Sequence, residues 1–267
     1  DSSRLSTEED YSAAIYSKED LIINGNGTLN VNAGYRNGIK STDDCIIVSG
    51  TLNITSTEDG IIGKDLCGVV AGDININAGS DGIKSTYDTD TTKGNVIIEG
   101  GNITIKASND GIQAENILVI NDGTINIKTN NGAADTTQTH TDNMYMDRGG
   151  FGFNNNKTTT TTDDTVESRK GIKAGNMLII NDVDITIDSD DDSVHCNSEI
   201  YIYGGTINAA TGDDGVHADD LLTVNGGTIN ITQCYEGIEA DDIVINDGDI
   251  SVVSSDDGIN SSDGSIT

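Results

Sequence analysis

The stretch Gly212-Asp213-Asp214-Gly215-Val216-His217-Ala218-Asp219-Asp220-Leu221-Leu222-Thr223-Val224-Asn225-Gly226-Gly227-Thr228-Ile229-Asn230-Ile231-Thr232 decides the fold. Two acids precede Gly215 and an apolar residue follows it. A second acid pair marks a corner, and alternating runs at 221–225 and 228–232 complete the unit. The unit returns 22 residues later at Gly237, 21 later again at Gly258, and 22 earlier with Ser193 in the glycine position. Upstream the marker glycines are 171, 111, 82, 60 and 38, separated by 60, 29, 22 and 22 residues, so two units carry insertions. A degenerate copy at 15–23 precedes them, which makes about ten units.

Each unit holds three short apolar pulses of period two, rich in β-branched residues, which predict three strands per coil. Strands this short cannot bury an inner face alone. The period therefore makes sense only if equivalent strands of successive coils pair in register and stack Ile on Ile. The expectation is an all-β, single-stranded parallel β-helix over 15–267, with a polar cap at 1–14 and insertions at 87–93 and 131–168. At about 4.8 Å per rung it would be a rod of roughly 45 Å. The chain has no Pro, which fits continuous ladders. The nonapeptide calcium roll has the wrong period, and leucine-rich repeats need a Leu and Asn spacing that this unit lacks. The ending Ser265-Ile266-Thr267 reads as the start of a further strand, so the natural chain is expected to continue.

The 267 residues carry 14 Lys and Arg against 45 Asp and Glu, a net charge of −31. That balance opposes nonspecific binding to nucleic-acid phosphates and points to cations, or to something cations bridge, as partners. No apolar run approaches the roughly 18 residues of a membrane span, and no leader begins the chain. A soluble chain whose export signal has been removed is expected. Of four cysteines, Cys45 and Cys67 share one repeat position, and adjacent rungs leave both a disulfide and two buried thiols open. Cys196 and Cys234 occupy different positions and are expected free.

The acids form columns. Before the marker glycine stand Asn37, Asp59, Asp81, Asp110, Lys170, Asp192, Asp214, Glu236 and Asp257. Asp191, Asp213 and Asp256 double the column, and Glu239 and Asn260 approach from two residues after the marker. Two carboxylates 4.8 Å apart repel by about 3.5 kcal/mol at an effective dielectric of 20. Hard oxygen ligands in flexible array suit Ca²⁺, so Asp191, Asp192, Asp213, Asp214, Glu236, Glu239, Asp256, Asp257 and Asn260 are the candidate ligands. The competing reading makes each Asp a solvated corner residue. The outward row one residue after the inner Ile includes Lys40, Lys84, Lys173, His195 and His217, candidates for holding an anionic or hydroxyl-rich polymer; an ordinary solvated strand is the alternative. Both insertions flank this row. The longer one contains Phe151 and Phe153, which suit either a lid that stacks on sugars or a flap packed on the rod.

The coil with Asp-Gly-Ile-Lys at 81–84, Leu-Val-Ile-Asn at 118–121 and Gly-Thr-Ile-Asn-Ile at 227–231 resembles a family of bacterial carbohydrate-binding β-helix domains, formerly catalogued as a domain of unknown function. The resemblance covers nearly the whole chain. It implies a right-handed helix, calcium, an extracellular or cell-surface location, and binding to plant cell-wall polysaccharides, both cellulose and polygalacturonate. The coil is also similar to family 9 pectate lyases, whose calcium pocket has Asp before Gly on one rung and Asp-Asp-Gly-x-Asp on the next. Asp192 and the run 213–217 match that pattern until His217, and Glu236 with 256–260 match it until Asn260. Such lyases need a Lys base beyond the calcium, and no Lys follows Lys173, the one candidate. The Gly-Asp-Asp of polygalacturonases occurs at 212–214, but their downstream Gly-His-Gly and Arg-Ile-Lys do not, so paired-acid hydrolysis is set aside. The expectation is a binding module without turnover, with a calcium-dependent lyase and a structural stalk as alternatives.

Overall fold

The computed structural model describes residues 12–134 and 168–267. It is a parallel β-solenoid of ten coils with three strand faces. The first face begins at Ala13–Ser17 and Asn37–Ser41, passes through Ile83–Ser85, Ile112–Ala114, Ile172–Ala174 and Val194–Cys196, and ends at Ile259–Ser261. Every pairing is parallel, and on this face the register joins equivalent repeat positions. Tyr16, Lys40, Ile62, Lys84, Gln113, Lys173, His195, His217, Glu239 and Asn260 form one outward row.

The apolar residue after each marker is the reason for that register. Ile39, Ile61, Ile83, Ile112, Ile172, Val194, Val216 and Ile238 are fully buried one above another. Each contributes about 1.5–3 kcal/mol relative to exposure, and a slip by one residue would turn the whole row to solvent. Two strands of 13 residues, Ile117–Thr129 and Met177–Ser189, run unbroken around the corner between the second and third faces.

The marker glycines are required by close approach. A Cβ on Gly111 would lie 2.5 Å from the carbonyl oxygen of Gly171 on the next coil and 2.4 Å from a methyl of Ile127. Cys45 and Cys67 pair in register but are free buried thiols, as are Cys196 and Cys234. Burial pushes the Cys45 thiol up to about 12. The first strand begins at Ala13, so 13 and 14 belong to a coil. The rest of the expected cap, through residue 11, and the insertion with its Phe151 and Phe153 lid, over 135–167, lie outside the described residues.

Candidate functional site

The acid column is first a structural device. Asn37 Oδ1 accepts the amide of Asp59 on the next coil at 3.0 Å. Asp59, Asp81 and Asp110 each repeat the bond one coil on, at 3.1, 3.0 and 2.7 Å. Asp192 and Asp214 continue it to Asp214 and Glu236 at 3.1 and 3.3 Å. Carboxylates that accept a backbone N–H in a buried row do what a corner residue facing water would not. Neither reading of the column from sequence included this bond. The signal was Asn37, because an amide oxygen replaces an acceptor but not a charge.

Lys170 interrupts the column, since its side chain offers no acceptor. The amide of Asp192 turns instead to its own neighbour, Asp191 Oδ1, at 3.0 Å. The Lys170 ammonium donates to Asp191 at 3.0 Å and to Asp192 at 2.6 Å. Burial works against the charge of Lys170, but Asp192 and Asp191 outweigh it and raise its pKa. Burial likewise opposes the charge of Asp192, and Lys170 with the two imidazoles holds it below the usual carboxylate range. At Asp213 the balance goes the other way: burial, and then Asp192, Asp214 and Asp191, outweigh Lys170 and push it up to about 8.

Around this junction the structure brings together three overlapping groups of ligand atoms: Asp191 with Asp192 and Asp213, Asp192 with His195 and His217, and Asp214 with His217 and Glu239. Burial depresses His217, yet Asp214, Asp192 and Glu239 overcome it and raise His217 to about 9. Glu239 rises to about 7, burial and the carboxylates of Glu236 and Asp214 outweighing His217. The remaining candidates are not gathered in. Glu236 accepts from Asn260 Nδ2 at 3.2 Å, while Asp256 and Asp257 are exposed and join none of these groups among the described residues.

Towards the N-terminal end of the row lies an open cleft of about 250 Å³, lined by Ser80, Asp81, Lys84, Asn109, Asp110, Gln113, Ser168 and Lys173. Its floor is the outward row itself, with Gln113 between Lys84 and Lys173. Lys84 donates to Asp81 at 2.6 Å, and Lys173 to Ser168 Oγ at 3.3 Å. Burial, outweighing Lys84, pushes Asp81 up to about 6. The cleft is smaller than the ~300–1,000 Å³ of drug-sized pockets, a size suited to one residue of a longer polymer. Lys40 lies two coils before Lys84, beyond the cleft.

A second feature went unread in the sequence. Tyr201 lies in the strand Glu199–Ile202 and Tyr203 directly follows it, two residues on and so on the same side. Their rings lie 6.5 Å apart and 15° from parallel, and Tyr203 is 53% exposed. The Tyr-x-Tyr spacing was the available signal.

A parallel solenoid with a polar cleft and a carboxylate–imidazole cluster on one continuous face belongs to the class of rods that present a surface to an extended ligand. The family model described as carbohydrate-binding domain-containing protein matches residues 1–215 and again 213–267, and the chain belongs to that family. A protein of Acetivibrio thermocellus described in the same words is 45% identical over 42 residues, 16% of this chain and 15% of that protein. The match thus spans well under two thirds of that relative's length. No solved structure matches the chain.

Proposed function

We propose that the solenoid is an extracellular module that binds plant cell-wall polysaccharides without turning them over, polygalacturonate along the first face and cellulose at the tyrosine pair. The cleft between Lys84 and Lys173 is the observation that carries this reading. Two ammonium groups flank an amide, with Ser80, Asn109, Ser168 and the carboxyls of Asp81 and Asp110 around them, a set that offers cationic donors to a uronate carboxylate and acceptors to ring hydroxyls. The near-parallel rings of half-buried Tyr201 and exposed Tyr203 suit the flat faces of neutral sugars.

Calcium is part of the proposal. A polyanion approaching a chain of net charge −31 is repelled, and a divalent cation between carboxylates relieves that repulsion. Asp191, Asp192 and Asp213 fit the hard-oxygen preference of Ca²⁺. The rise of Asp213 to about 8 marks negative charge that Lys170 leaves uncompensated. The position of His217 fits calcium poorly, because imidazole nitrogen is a soft donor for it.

Retention on insoluble cellulose and on pectate, with calcium and with chelator, tests the reading. The unaltered chain should be held by both polymers, and by pectate more strongly with calcium. Lys173→Ala should weaken pectate binding by about tenfold or more, since a charge-assisted hydrogen bond contributes about 1.5–3 kcal/mol, and leave cellulose retention unchanged. Tyr203→Ala should do the reverse. No retention under any condition would overturn the proposal in favour of a stalk. Ultraviolet absorbance that grows steadily with pectate and calcium and vanishes in Lys173→Ala would replace it with a lyase.

A further inference from the structure

We propose that Asp192, His195 and His217 form a binding site for a zinc-class divalent transition-metal ion, with Asp214 beside His217. The site is separate from the glycan cleft and does not rest on glycan binding. Its starting point is His195, 8% exposed, whose Nδ1 has no hydrogen-bond partner among the described residues. That nitrogen is 2.9 Å from Asp192 Oδ2 but not aligned to donate to it.

The other ring nitrogen fixes the tautomer. His195 Nε2 is 2.9 Å from Asn197 Oδ1. An amide oxygen only accepts, so Nε2 carries a hydrogen and, in the neutral ring, Nδ1 presents a lone pair to the Asp192 carboxylate. In that form the pair calls for a cation between them, a proton or a metal ion. His217 is turned the same way. Its Nδ1 faces Asp214 Oδ2 at 3.2 Å and Asp192 Oδ2 at 4.0 Å, while its Nε2 lies 3.6 Å from Asp219 Oδ1. Two imidazoles that aim one nitrogen inward and the other at an oxygen outside reproduce the arrangement by which proteins orient metal-binding histidines.

Distances and donor types agree on the ion. Tetrahedral zinc with bonds of about 2.0–2.1 Å sets its ligand atoms about 3.4 Å apart. The separations of 2.9 and 4.0 Å from Asp192 to the two imidazoles bracket that value. Ca²⁺ seeks six to eight oxygens, whereas a mixed set of two imidazoles and a carboxylate suits zinc with its fourth position open. The third coil-to-coil neighbour, Glu239, lies 4.0 Å from His217 Nδ1 and adds negative charge. Five carboxylates, of Asp191, Asp192, Asp213, Asp214 and Glu239, belong to these overlapping groups, and the Lys170 ammonium pairs with Asp191 and Asp192.

The test is titration of the untagged full chain, stripped of metal, with Zn²⁺ in a large excess of Ca²⁺, and with Co²⁺ as the visible probe of a tetrahedral site. One equivalent should bind and calcium should not displace it. Changing an outer-sphere partner of a metal ligand costs about 10–100-fold in affinity. Asn197→Ala should therefore weaken zinc by that factor, and His217→Ala by at least about 100-fold. Asp213→Asn, which alters the all-oxygen group only, should bind zinc as the unaltered chain does. His217→Gln, closer in size and polarity, is read beside His217→Ala, with circular dichroism to confirm that each is folded. Zinc held no more tightly than calcium, or held normally by folded His217→Gln and by Asn197→Ala, would overturn the proposal. No glycan is present, so this titration can fail while the polymer retention succeeds, and the converse.

Discussion

Asp110 shows what one acid of the column does. It is 2% exposed, and its Oδ1 accepts both the amide of Lys170 and the hydroxyl of Ser168. Burial raises its pKa against the pull of Ser168 and the nearby lysines. The acceptor is therefore worth more to the fold than the charge. Asp110→Ala leaves a buried amide unpartnered and should destabilise the chain by about 1–3 kcal/mol. Asp110→Asn keeps a carbonyl oxygen in place and should lose much less. Paired denaturant melts of the two variants at neutral pH check this, and equal losses would show that charge, and not the hydrogen bond, is what the column supplies. The same reasoning separates Asp110 from Asp192, where the carboxylate faces Lys170 and two imidazoles and its charge has partners.

At the scale of the coil, the fold was legible because a solenoid writes its geometry locally: one turn is one sequence period, so register follows from counting. The spacings of 29 and 60 residues disturbed the count without changing the strands. The candidate site was legible in composition and illegible in direction. Asp192, His195 and His217 are neighbours by register alone, but the turn of His195 towards Asn197 depends on side-chain torsions that no spacing encodes. Lys170 stands among the acids of the column by spacing alone and pairs with Asp191 and Asp192, yet its breaking of the amide ladder needed the backbone to be seen. The coil of Ser193 carries a further test of register. Elsewhere the marker glycine faces a branched side chain of the third face, Gly171 against Ile187 and Gly215 against Ile231. The partner of Ile187 on the intervening coil is Ala209, so a larger residue at 193 coincides with a smaller one at 209. Ala209→Ile should be destabilising by about 1–3 kcal/mol through overpacking, and adding Ser193→Gly should restore most of the loss. A double-mutant cycle measures the coupling; simple additivity would mean that the two positions do not share space.

For the whole molecule the decisive quantity is how unevenly charge is compensated. All 14 Lys and Arg precede Ala174, while 20 Asp and Glu follow it, and Glu239, Asp213 and His217, all raised, lie in that second half. Asp81, Glu239 and Asp213 rise to about 6, 7 and 8, and His217 to about 9. Each binds its proton more tightly folded than unfolded. The stability it contributes is therefore complete below its unfolded pKa, near 4 for the carboxyls and 6.5 for the imidazole, and is lost as pH climbs through the folded value. Asp192 runs the other way, held below its ordinary range, and its contribution disappears only in strong acid. Between about pH 5 and 9 the four raised groups act in one direction, so the metal-free chain should melt at progressively lower temperature as pH rises. A loss of about 1 kcal/mol lowers Tm by about 2–4 °C in a chain of this order, within reach of a thermal melt in chelator at stepped pH. A divalent cation supplied at the alkaline end takes the place of those protons in the junction and should recover much of the lost Tm. A metal-free profile that is flat or rises over this range would mean that the junction's carboxylates are already compensated without proton or metal, and would count against a cation site on this face.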